Sequence, residues 1–330
     1  ISGGELLTFD DEQRKKVLAA NDAMTHEALR VLGVAYRLVE EVPSMDERKN
    51  LETDLVFAGL IGMIDPARPE VAPALQTAAN AGIRTLMITG DYPNTARAIA
   101  ESIGLLRAGH NVLTGTQLES MSDAELKEEV MKTDVYARVS PEHKLRIVNA
   151  LQANGEVVAM TGDGVNDAPA IKQADIGVSM GITGTDVAKD TADMVLMDDN
   201  YVSIVSAVEQ GRIIYSNIRK FVYYLISCNM AEILIIFLPT AIGQFLIQGL
   251  TSAQLSPLAP VQLLWLNLVT DGAPALALST EKGDPDIMDQ PPRSPKEPII
   301  NRKMLIGVVT QTIAIAEQVH RHQIPPATAP

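Results

Sequence analysis

The sequence predicts an α/β domain with a parallel sheet, followed by an α-helical transmembrane hairpin. Apolar strand-like runs alternate with helical patterns through the soluble part, which is typical of a parallel sheet covered by helices on both faces. The apolar residues are then concentrated after Ile213, although the mean hydropathy of the chain is only +0.09. Composition therefore divides the chain into a soluble region and a membrane region.

The soluble elements follow one another in a regular order. A polar amphipathic helix begins near Asp11, and Leu29–Val39 belongs to the end of a separate unit. The predicted strands are then Leu55–Ile64, Ile83–Ile88, Val135–Ala137, Val157–Met160, Ile176–Ser179 and Met194–Leu196. The predicted helices are Val71–Ala81, Thr95–Ile103, Glu142–Ala153 and Asp167–Gln173.

Two apolar runs predict the membrane hairpin. The runs are Val222–Leu250 and Pro257–Thr280, and each is long enough for a helix to cross a hydrocarbon core of ~30 Å. We place the two spans at about 222–247 and 258–280. A third apolar run from about Met304 is interrupted from Glu317 onward, so we expect a truncated third span there.

The charges around the hairpin predict its orientation. The link Thr251–Leu258 carries no charge, whereas basic residues flank both outer ends of the hairpin. These residues are Arg212, Arg219 and Lys220 before it, and Lys282, Arg293, Lys296, Arg302 and Lys303 after it. Both outer ends are therefore predicted to be cytoplasmic.

The overall composition excludes several classes of protein. A net charge of −14 and a pI near 4.8 argue against nucleic acid as a partner, because such binding needs a basic face. Cys228 is the single cysteine, so no disulfide framework exists and a reducing compartment is expected. The chain begins at Ile1 with no basic or signal-like segment, and we expect it to be a fragment.

Polar residues mark two predicted strand ends, where ligands of such sheets bind. In the run Thr89–Asp91, a hydroxyl and backbone N–H groups can hold a phosphoryl oxygen. In TGDGVNDAP, starting at Thr161, two carboxylates four residues apart suit Mg²⁺. Lys144 on the helix between them can neutralise a transferring phosphoryl group. An isolated TGD is more often a simple turn and an isolated lysine is usually solvated, but the second run is unfavourable for local structure alone.

The membrane runs contain polar residues that are costly at mid-bilayer. Asn229 and Glu232 are three residues apart, and Asn267, Thr270 and Asp271 are three and four apart, so each set is expected to line one helix face. Oxygen ligands of this kind suit Ca²⁺. Interhelical hydrogen bonding is the alternative for the amides and the hydroxyl, but the two acids favour cation binding.

Four longer stretches carry a resemblance to a known family. They are MITGD, ARVSPEHKLRIV, VAMTGDGVNDAPAIKQADIGVSMGITGTDVAKDTADMVL and PVQLLWLNLVTDGAPALAL. From about Met24 to Leu305 the chain resembles the second half of a P-type cation-transporting ATPase of the type II calcium-pump group, whereas the tail beyond about Ala316 does not.

The resemblance implies a domain order and an activity. Residues 1–52 would be the C-terminal end of a nucleotide-binding domain, residues 53–210 a haloacid-dehalogenase-like, Rossmann-like phosphorylation domain, and residues 211–330 a transmembrane region containing membrane helices five and six. The implied activity is ATP-driven Ca²⁺ transport through an aspartyl phosphate, with Mg²⁺ as cofactor.

The resemblance also implies a role for each matching residue. At the phosphorylation site these are Asp163 as the Mg²⁺ ligand, Asn166 and Asp167 as residues that order the site, Thr89 and Gly90 as the pair that contacts the phosphoryl group and positions the hydrolytic water, and Lys144 as the phosphate-binding lysine. Near the nucleotide they are Arg30, Arg68, Asp91 and Arg138, although Ala67 stands where the family usually has proline.

One departure from the family is an absence, because no DKTGT occurs in the sequence. The phosphorylated aspartate, the actuator domain, the first half of the catalytic region and the other membrane helices are expected in the remainder of the pump. The chain alone is therefore expected to be inactive.

Two alternative functions stay open at this stage. A pump for another cation, such as Na⁺, H⁺ or Mn²⁺, is the closer one, although the family implies that single-calcium and manganese-tolerant pumps usually lack an acid and a threonine where this chain has Glu232 and Thr270. A soluble phosphatase is disfavoured by the two membrane runs.

The expected location is a membrane, because the two spans predict a multi-pass integral membrane protein. We expect its catalytic domains in the cytoplasm and its spans in the cell membrane. The expected partners are ATP, the transported cation, the lipid bilayer and the remainder of the pump.

Overall fold

The structure is a computed structural model that describes residues 8–27, 29–39, 52–63, 66–246 and 258–323. The chain forms two compact units, residues 1–79 with 83–205 and residues 80–82 with 206–330. The first unit contains the α/β elements, and the second contains the long apolar helices. The domain boundaries expected after residues 52 and 210 stay predictions.

The first unit begins with a helix and an antiparallel strand pair. Helix α1 (Asp11–His26) starts after the capping side chain of Asp10. Strand β1 (Arg30–Tyr36) pairs antiparallel with β2 (Val56–Met63). The sequence predicted a strand at Leu55–Ile64 but placed it in the parallel sheet, because alternation of apolar residues identifies a strand and not its partner.

Two three-stranded parallel sheets form most of the first unit. One contains β3 (Met87–Thr89), β4 (Asn111–Thr114) and β5 (Thr133–Ala137) in the order β3-β5-β4. The other contains β6 (Ala159–Gly162), β7 (Ile176–Met180) and β8 (Met194–Leu196) in that order. The predicted fold class is confirmed, but the described strands form two hydrogen-bonded parallel sheets rather than one.

Seven helices accompany these sheets in the described part of the unit. They are α2 (Val71–Asn80), α3 (Pro93–Ser102), α4 (Gly115–Ser120), α5 (Asp123–Glu129), α6 (Pro141–Ala153), α7 (Ala168–Gln173) and α8 (Asp186–Thr191). The sequence did not predict α4, α5, α8 or β4, because these short elements contain few apolar residues and so show no apolar run or period. Tyr136 of β5, Ile147 of α6 and Ile171 of α7 are buried in one apolar core that joins the two sheets.

The second unit is helical. Helix α9 (Tyr201–Leu246) begins in the first unit and runs through the first predicted span, and Pro239 lies inside it. The second span consists of α10 (Pro260–Trp265), a π-helical segment (Leu266–Thr270) and α11 (Gly272–Ser279). Helix α12 (Arg302–Gln323) comes after it.

Two described stretches are long and apolar enough to cross a membrane, judged by length and composition. They are Tyr201–Ile242 and Pro260–Ser279, with mean hydropathies of 1.9 and 1.2. The Thr312 hydroxyl donates to the Ser227 carbonyl oxygen at 3.4 Å, which joins α12 to α9. Residues 247–257, including the uncharged link, lie outside the described residues.

A buried carboxylate stabilises the β3-β5-β4 sheet. The Asp134 side chain is fully buried, and Arg107 donates to both of its oxygens, from Nη2 at 2.6 Å and from Nε at 3.0 Å. Arg84 and His110 lie 3.4 and 3.2 Å from the same carboxylate. Burial disfavours the charged form, but the bonds from Arg107 prevail and lower the pKa of Asp134.

We predict that Asp134→Asn destabilises the first unit at pH 7 by at least about 2 kcal/mol, because it removes the charge from a buried, multiply bonded group. A carboxylate with a lowered pKa in the folded protein stabilises it above the unfolded pKa of about 3.9, and that contribution is lost as the pH falls. The variant's deficit in thermal unfolding midpoint, measured by circular dichroism, should therefore shrink in acid.

Glu12→Gln is the matched control, because Glu12 is 74% exposed and pairs with Lys16 on the surface of α1. This substitution should change stability by less than about 0.5 kcal/mol. Equal, small shifts in both variants would show that Asp134 does not anchor the sheet.

Candidate functional site

The candidate site of the first unit lies at the carboxyl ends of β3 and β6. Thr89 is the last residue of β3, and Gly162 is the last residue of β6. The end of β5 joins that of β3, since the Arg138 amide donates to the Asp91 carbonyl oxygen at 3.2 Å and the Val139 amide to that of Thr89 at 3.4 Å. Each sheet therefore presents its polar residues at the edge where ligands of parallel sheets bind.

Asp167 is the central residue of the turn after β6. Its carboxylate is buried, and Oδ1 forms an ion pair with Lys144 Nζ from α6. Its Oδ2 accepts from the amides of Asp163 at 3.4 Å and Gly164 at 3.3 Å. The predicted residues Lys144, Asp163 and Asp167 are thus brought together.

Gly162 is required by this arrangement. A Cβ atom at residue 162 would lie 2.8 Å from the Cγ and 2.9 Å from the Oδ2 of Asp167, closer than real side chains approach. The same atom added to Gly164 would make only an ordinary contact, at 3.7 Å from Oδ2. The first glycine is thus a packing requirement of the buried carboxylate.

Asp163 is held by its backbone and exposed at its side chain. Its amide donates to Asp167, and its carbonyl oxygen accepts from the Thr185 amide at 2.8 Å. The Asp163 side chain is exposed, as is Asn166 in the 3₁₀ turn Val165–Asp167. An exposed carboxylate on a fixed turn is a suitable ligand for a hard cation such as Mg²⁺.

The turn after β3 contains an ordered hydroxyl and an unobstructed glycine. Thr89 Oγ1 donates to Asp91 Oδ2 at 3.0 Å and accepts from the Asp91 amide at 3.1 Å. A Cβ added to Gly90 would have no neighbour within 4 Å, and Gly90 does not have a positive φ. Neither packing nor backbone conformation within the described residues therefore requires glycine here, which is compatible with close approach of a ligand to the backbone.

The four residues expected near a nucleotide lie in different places. Arg138 has a φ of +56° and its guanidinium carbon lies 3.9 Å from the centroid of the Tyr92 ring, next to Asp91. Arg68 instead donates to the Asp199 carbonyl oxygen at 3.1 Å. Arg30 is exposed at the start of β1. In the described part of the chain, no hydrogen bond or ion pair joins Arg30 or Arg68 to the other two.

Asp199 is a site-supporting residue that the sequence analysis missed. One carboxylate oxygen accepts from the amides of Gly181 and Ile182, and the other from the amide and hydroxyl of Thr183, at 2.7–2.9 Å. These bonds, led by that from Ile182, lower the pKa of Asp199 to about 2. They order the loop that leads to Thr185 and so to Asp163. The available signal was the acidic pair Asp198 and Asp199, which follows the end of β8 after one residue.

The polar residues of the second unit lie on α9 and the second span. Glu232 is half-buried beside the Asn267 amide, whereas Asn229 and Thr270 are exposed. Asp271 is buried beside the Tyr224 hydroxyl and the Cys228 thiol, and its Oδ2 has no hydrogen-bond partner among the described residues.

Tyr224 and Cys228 were not among the predicted ligands. Within the described residues, no group of three or more His, Cys, Asp or Glu side chains is placed to hold a metal ion.

The second span is not a regular α-helix, so the α-helical spacing used in the sequence argument does not apply unchanged there, and the shared face stays a prediction. Leu266–Thr270 is π-helical, and the Asp271 amide donates to the Leu266 carbonyl oxygen at 2.9 Å. The wider turn of a π-helix changes the angles around the axis between residues three and four apart from their α-helical values. Asp271 is buried while Asn267 and Thr270 are exposed, consistent with this local change of geometry.

Two protein families match the chain. The haloacid dehalogenase-like hydrolase family matches residues 10–175, and the family described as cation transporting ATPase, C-terminus, matches residues 255–318. The first match covers half of the chain and includes both strand ends of the candidate site.

Curated relatives cover nearly all of the chain. It is 48% identical over 318 residues to a calcium-transporting ATPase of Bacillus subtilis (strain 168), covering 93% of this chain and 34% of that protein. It is 47% identical over 300 residues to calcium-transporting ATPase 1 of Lactococcus lactis, covering 90% and 32%.

An endoplasmic reticulum-type calcium-transporting ATPase 2 of Arabidopsis thaliana is 43% identical over 327 residues, which covers 93% of this chain and 30% of that protein. The predicted resemblance to P-type calcium pumps is confirmed. The chain spans about a third of the length of the curated relatives it matches.

We predict that Gly162→Ala destabilises the chain by about 1–3 kcal/mol, because the added methyl group overpacks against Asp167. Gly164→Ala is the control and should change stability by less than about 0.5 kcal/mol, since its methyl group meets no close contact. Thermal unfolding of both variants followed by circular dichroism would measure the difference. A normal midpoint for Gly162→Ala would contradict the role given to the first glycine.

Proposed function

Because this chain belongs to the haloacid dehalogenase-like hydrolase family and resembles calcium-transporting P-type ATPases, we propose that it is part of an ATP-driven calcium pump that works through an aspartyl phosphate. The observation that carries the proposal is the turn after β6, where Asp163 adjoins the buried pair of Asp167 and Lys144. Two apolar helices with acidic residues in the same chain favour coupling of this chemistry to ion transport.

In the soluble unit, Asp163 would hold Mg²⁺ through its exposed carboxylate. The ion would neutralise charge on the transferring phosphoryl oxygens when bound. Asp167 holds the Asp163 amide and the Lys144 ammonium in place, and Asn166 belongs to the same turn. Lys144 would then stabilise the negative charge that develops during transfer.

The turn after β3 would bind the phosphoryl group and the nucleotide. The Thr89 hydroxyl and the Gly90 amide are suitable donors to phosphoryl oxygens. The contact between Asp91 and the Arg138 backbone, and the stacking of Arg138 on Tyr92, support a role for these residues beside ATP. Arg30 and Arg68 rest on the family resemblance.

The phosphorylated aspartate would come from the remainder of the pump. Among the described strands, β3 and β6 are edge strands, and each pairs on one side only. An additional parallel strand that pairs with either edge would bring its own carboxyl end to Thr89 or Asp163. The actuator domain, the first half of the catalytic region and the other membrane helices would belong to that remainder.

In the membrane unit, we assign Asn229, Glu232, Asn267, Thr270 and Asp271 to one cluster that binds the transported Ca²⁺. The buried Asp271 Oδ2, which has no partner among the residues that the structure describes, and the contact of Glu232 with Asn267 support this assignment. Two calcium ions need about 12–16 oxygens, so these side chains supply part of the ligand set and Asp271 would be shared. Backbone carbonyls, water and other helices would supply the rest.

The proposed location rests on the two candidate spans and the basic residues that flank them. Arg212, Arg219 and Lys220 precede the first apolar run, which favours a cytoplasmic catalytic unit and a multi-pass protein of the cell membrane. A pump for another cation is not favoured, because the similar proteins are named calcium-transporting ATPases.

We predict that Asp163→Asn in a full-length pump lowers phosphoenzyme formation from ATP by at least about 100-fold, because the Mg²⁺ ligand loses its charge. ATP affinity should change by less than about threefold, since Asp163 does not hold the nucleotide. Labelling with radioactive ATP and equilibrium binding of ATP would separate the two effects. Asp186→Asn, an exposed acid on α8, is the control, and normal labelling in Asp163→Asn would assign Mg²⁺ to another residue.

For the membrane cluster, we predict that Glu232→Gln lowers the calcium stoichiometry of a full-length pump by one ion, whereas Asp271→Asn abolishes Ca²⁺-dependent phosphorylation by ATP. The reason is that Asp271 would contribute to both ions and Glu232 to one. Equilibrium binding of radioactive calcium per phosphorylation site would measure this. Glu209→Gln, exposed on the same helix α9, should leave both quantities unchanged.

One calcium ion per phosphorylation site in the unmutated pump would overturn the two-ion assignment. Glu232 would then be better explained by proton countertransport or packing.

A further inference from the structure

A cavity of about 1060 Å³ lies within the second unit, between α9, the segment 284–297 and the start of α12. Four cationic side chains line it: Arg212, Arg219 and Lys220 from α9, and Arg293 from the segment. Asp284 and Glu297 are the two acids of its lining. The cavity thus carries an excess of positive charge in a chain whose net charge is −14.

The three arginines of this cavity lack carboxylate partners among the described residues. Arg212 donates to the carbonyl oxygens of Ile287, Gln290 and Ala81 at 2.7–2.8 Å, and these neutral bonds hold its guanidinium group in place. Lys220, by contrast, lies 2.8 Å from Glu281 and 4.0 Å from Asp284.

Arg219 and Arg293 are the cations whose described bonds leave most of their donors unused. Arg219 contacts the Met304 sulfur at 3.3 Å, and Arg293 donates to the Glu297 carbonyl oxygen at 2.9 Å. Neither lies within 4.0 Å of a carboxylate oxygen in the described part of the chain. An arginine presents five N–H groups, so both retain donors for a ligand.

Arg293 is also held in a defined place. Its guanidinium carbon lies 4.1 Å from the centroid of the Tyr215 ring on α9, a cation–π contact that limits its movement. Arg219 follows Tyr215 by four residues on α9 and lines the same cavity, so the two guanidinium groups can serve one oxyanion together.

The cavity lies at the level where the apolar span begins. Arg219 and Lys220 directly precede Phe221, and the apolar run starts at Val222. Tyr223 and Met304 also line it. The cavity therefore combines cationic side chains with the start of an apolar helix, as at a membrane surface.

We propose that this cavity binds the phosphate-bearing headgroup of an anionic phospholipid, with Arg219 and Arg293 as the residues that contact the phosphate. A lipid fits both features, because its phosphate would meet the guanidinium groups while its acyl chains would lie along the apolar span that starts next to them. The proposal requires that the helices lie in a bilayer, but it does not depend on ATP hydrolysis or calcium binding.

The test measures lipid binding to the purified 330-residue chain in detergent by native mass spectrometry. The chain is titrated with dioleoylphosphatidylglycerol, with dioleoylphosphatidylcholine and with inorganic phosphate. We expect phosphatidylglycerol to bind at least about tenfold more tightly than phosphatidylcholine, and the double variant Arg219→Gln/Arg293→Gln to lose that preference.

Arg302→Gln/Lys303→Gln is the matched control, because it removes the same charge from α12 at residues that do not line the cavity. It should keep the preference within about twofold. Circular dichroism of all variants checks that they are folded.

Three results would overturn the proposal. They are equal binding of the two lipids by the unmutated chain, equal losses in the double variant and the control, and displacement of phosphatidylglycerol by inorganic phosphate at the same concentration. The last result would identify a site for a free phosphate ion.

Discussion

The candidate site depends on one buried ion pair. The Asp167 carboxylate joins Lys144 of α6 to the turn after β6, and the same carboxylate accepts the amides that fix Asp163 and Gly164. A buried charge is tolerated only when it is paired and hydrogen-bonded. The burial of Asp167 therefore requires Lys144 and both backbone amides at the same time. Helix α6, the turn after β6 and the exposed Asp163 are consequently positioned together. A shift of the turn or of Asp163 would leave the Asp167 carboxylate with too few hydrogen bonds.

Much of this site could be predicted from sequence because its residues are close in sequence or come directly after a strand. The run from Thr161 to Asp167 and the helix carrying Lys144 were both identified, and the structure brings them into contact. Asp199 could not be identified in the same way, because it supports residues 181–183 from a position 16–18 residues away. Such contacts are set by the way strands pair, which local patterns of residues do not specify.

The elements of the fold also differ in how well the sequence predicts them. Elements with a clear apolar run or period were predicted, even one as short as β8, whereas β4, α4, α5 and α8, which contain few apolar residues, were not. The antiparallel pairing of β1 with β2 depends on register between strands separated by residues 37–55, and residues 40–51 lie outside the described ranges. In the membrane region, the apolar composition predicted both spans. It could not predict the π-helical segment, because apolar residues are compatible with both an α-helix and a π-helix.

That π-helical segment is a local one-residue insertion in the hydrogen-bond pattern of the second span. It inserts one additional residue between Leu266 and Asp271 while the backbone on either side stays hydrogen-bonded. If this insertion moved by one residue along the helix, a few backbone hydrogen bonds would change partners. The side chain at the position it passed would rotate by about 100° around the helix axis, which is the angle between successive residues of an α-helix. The helix therefore contains a place where Asp271 can be turned toward or away from its neighbours without unwinding the span.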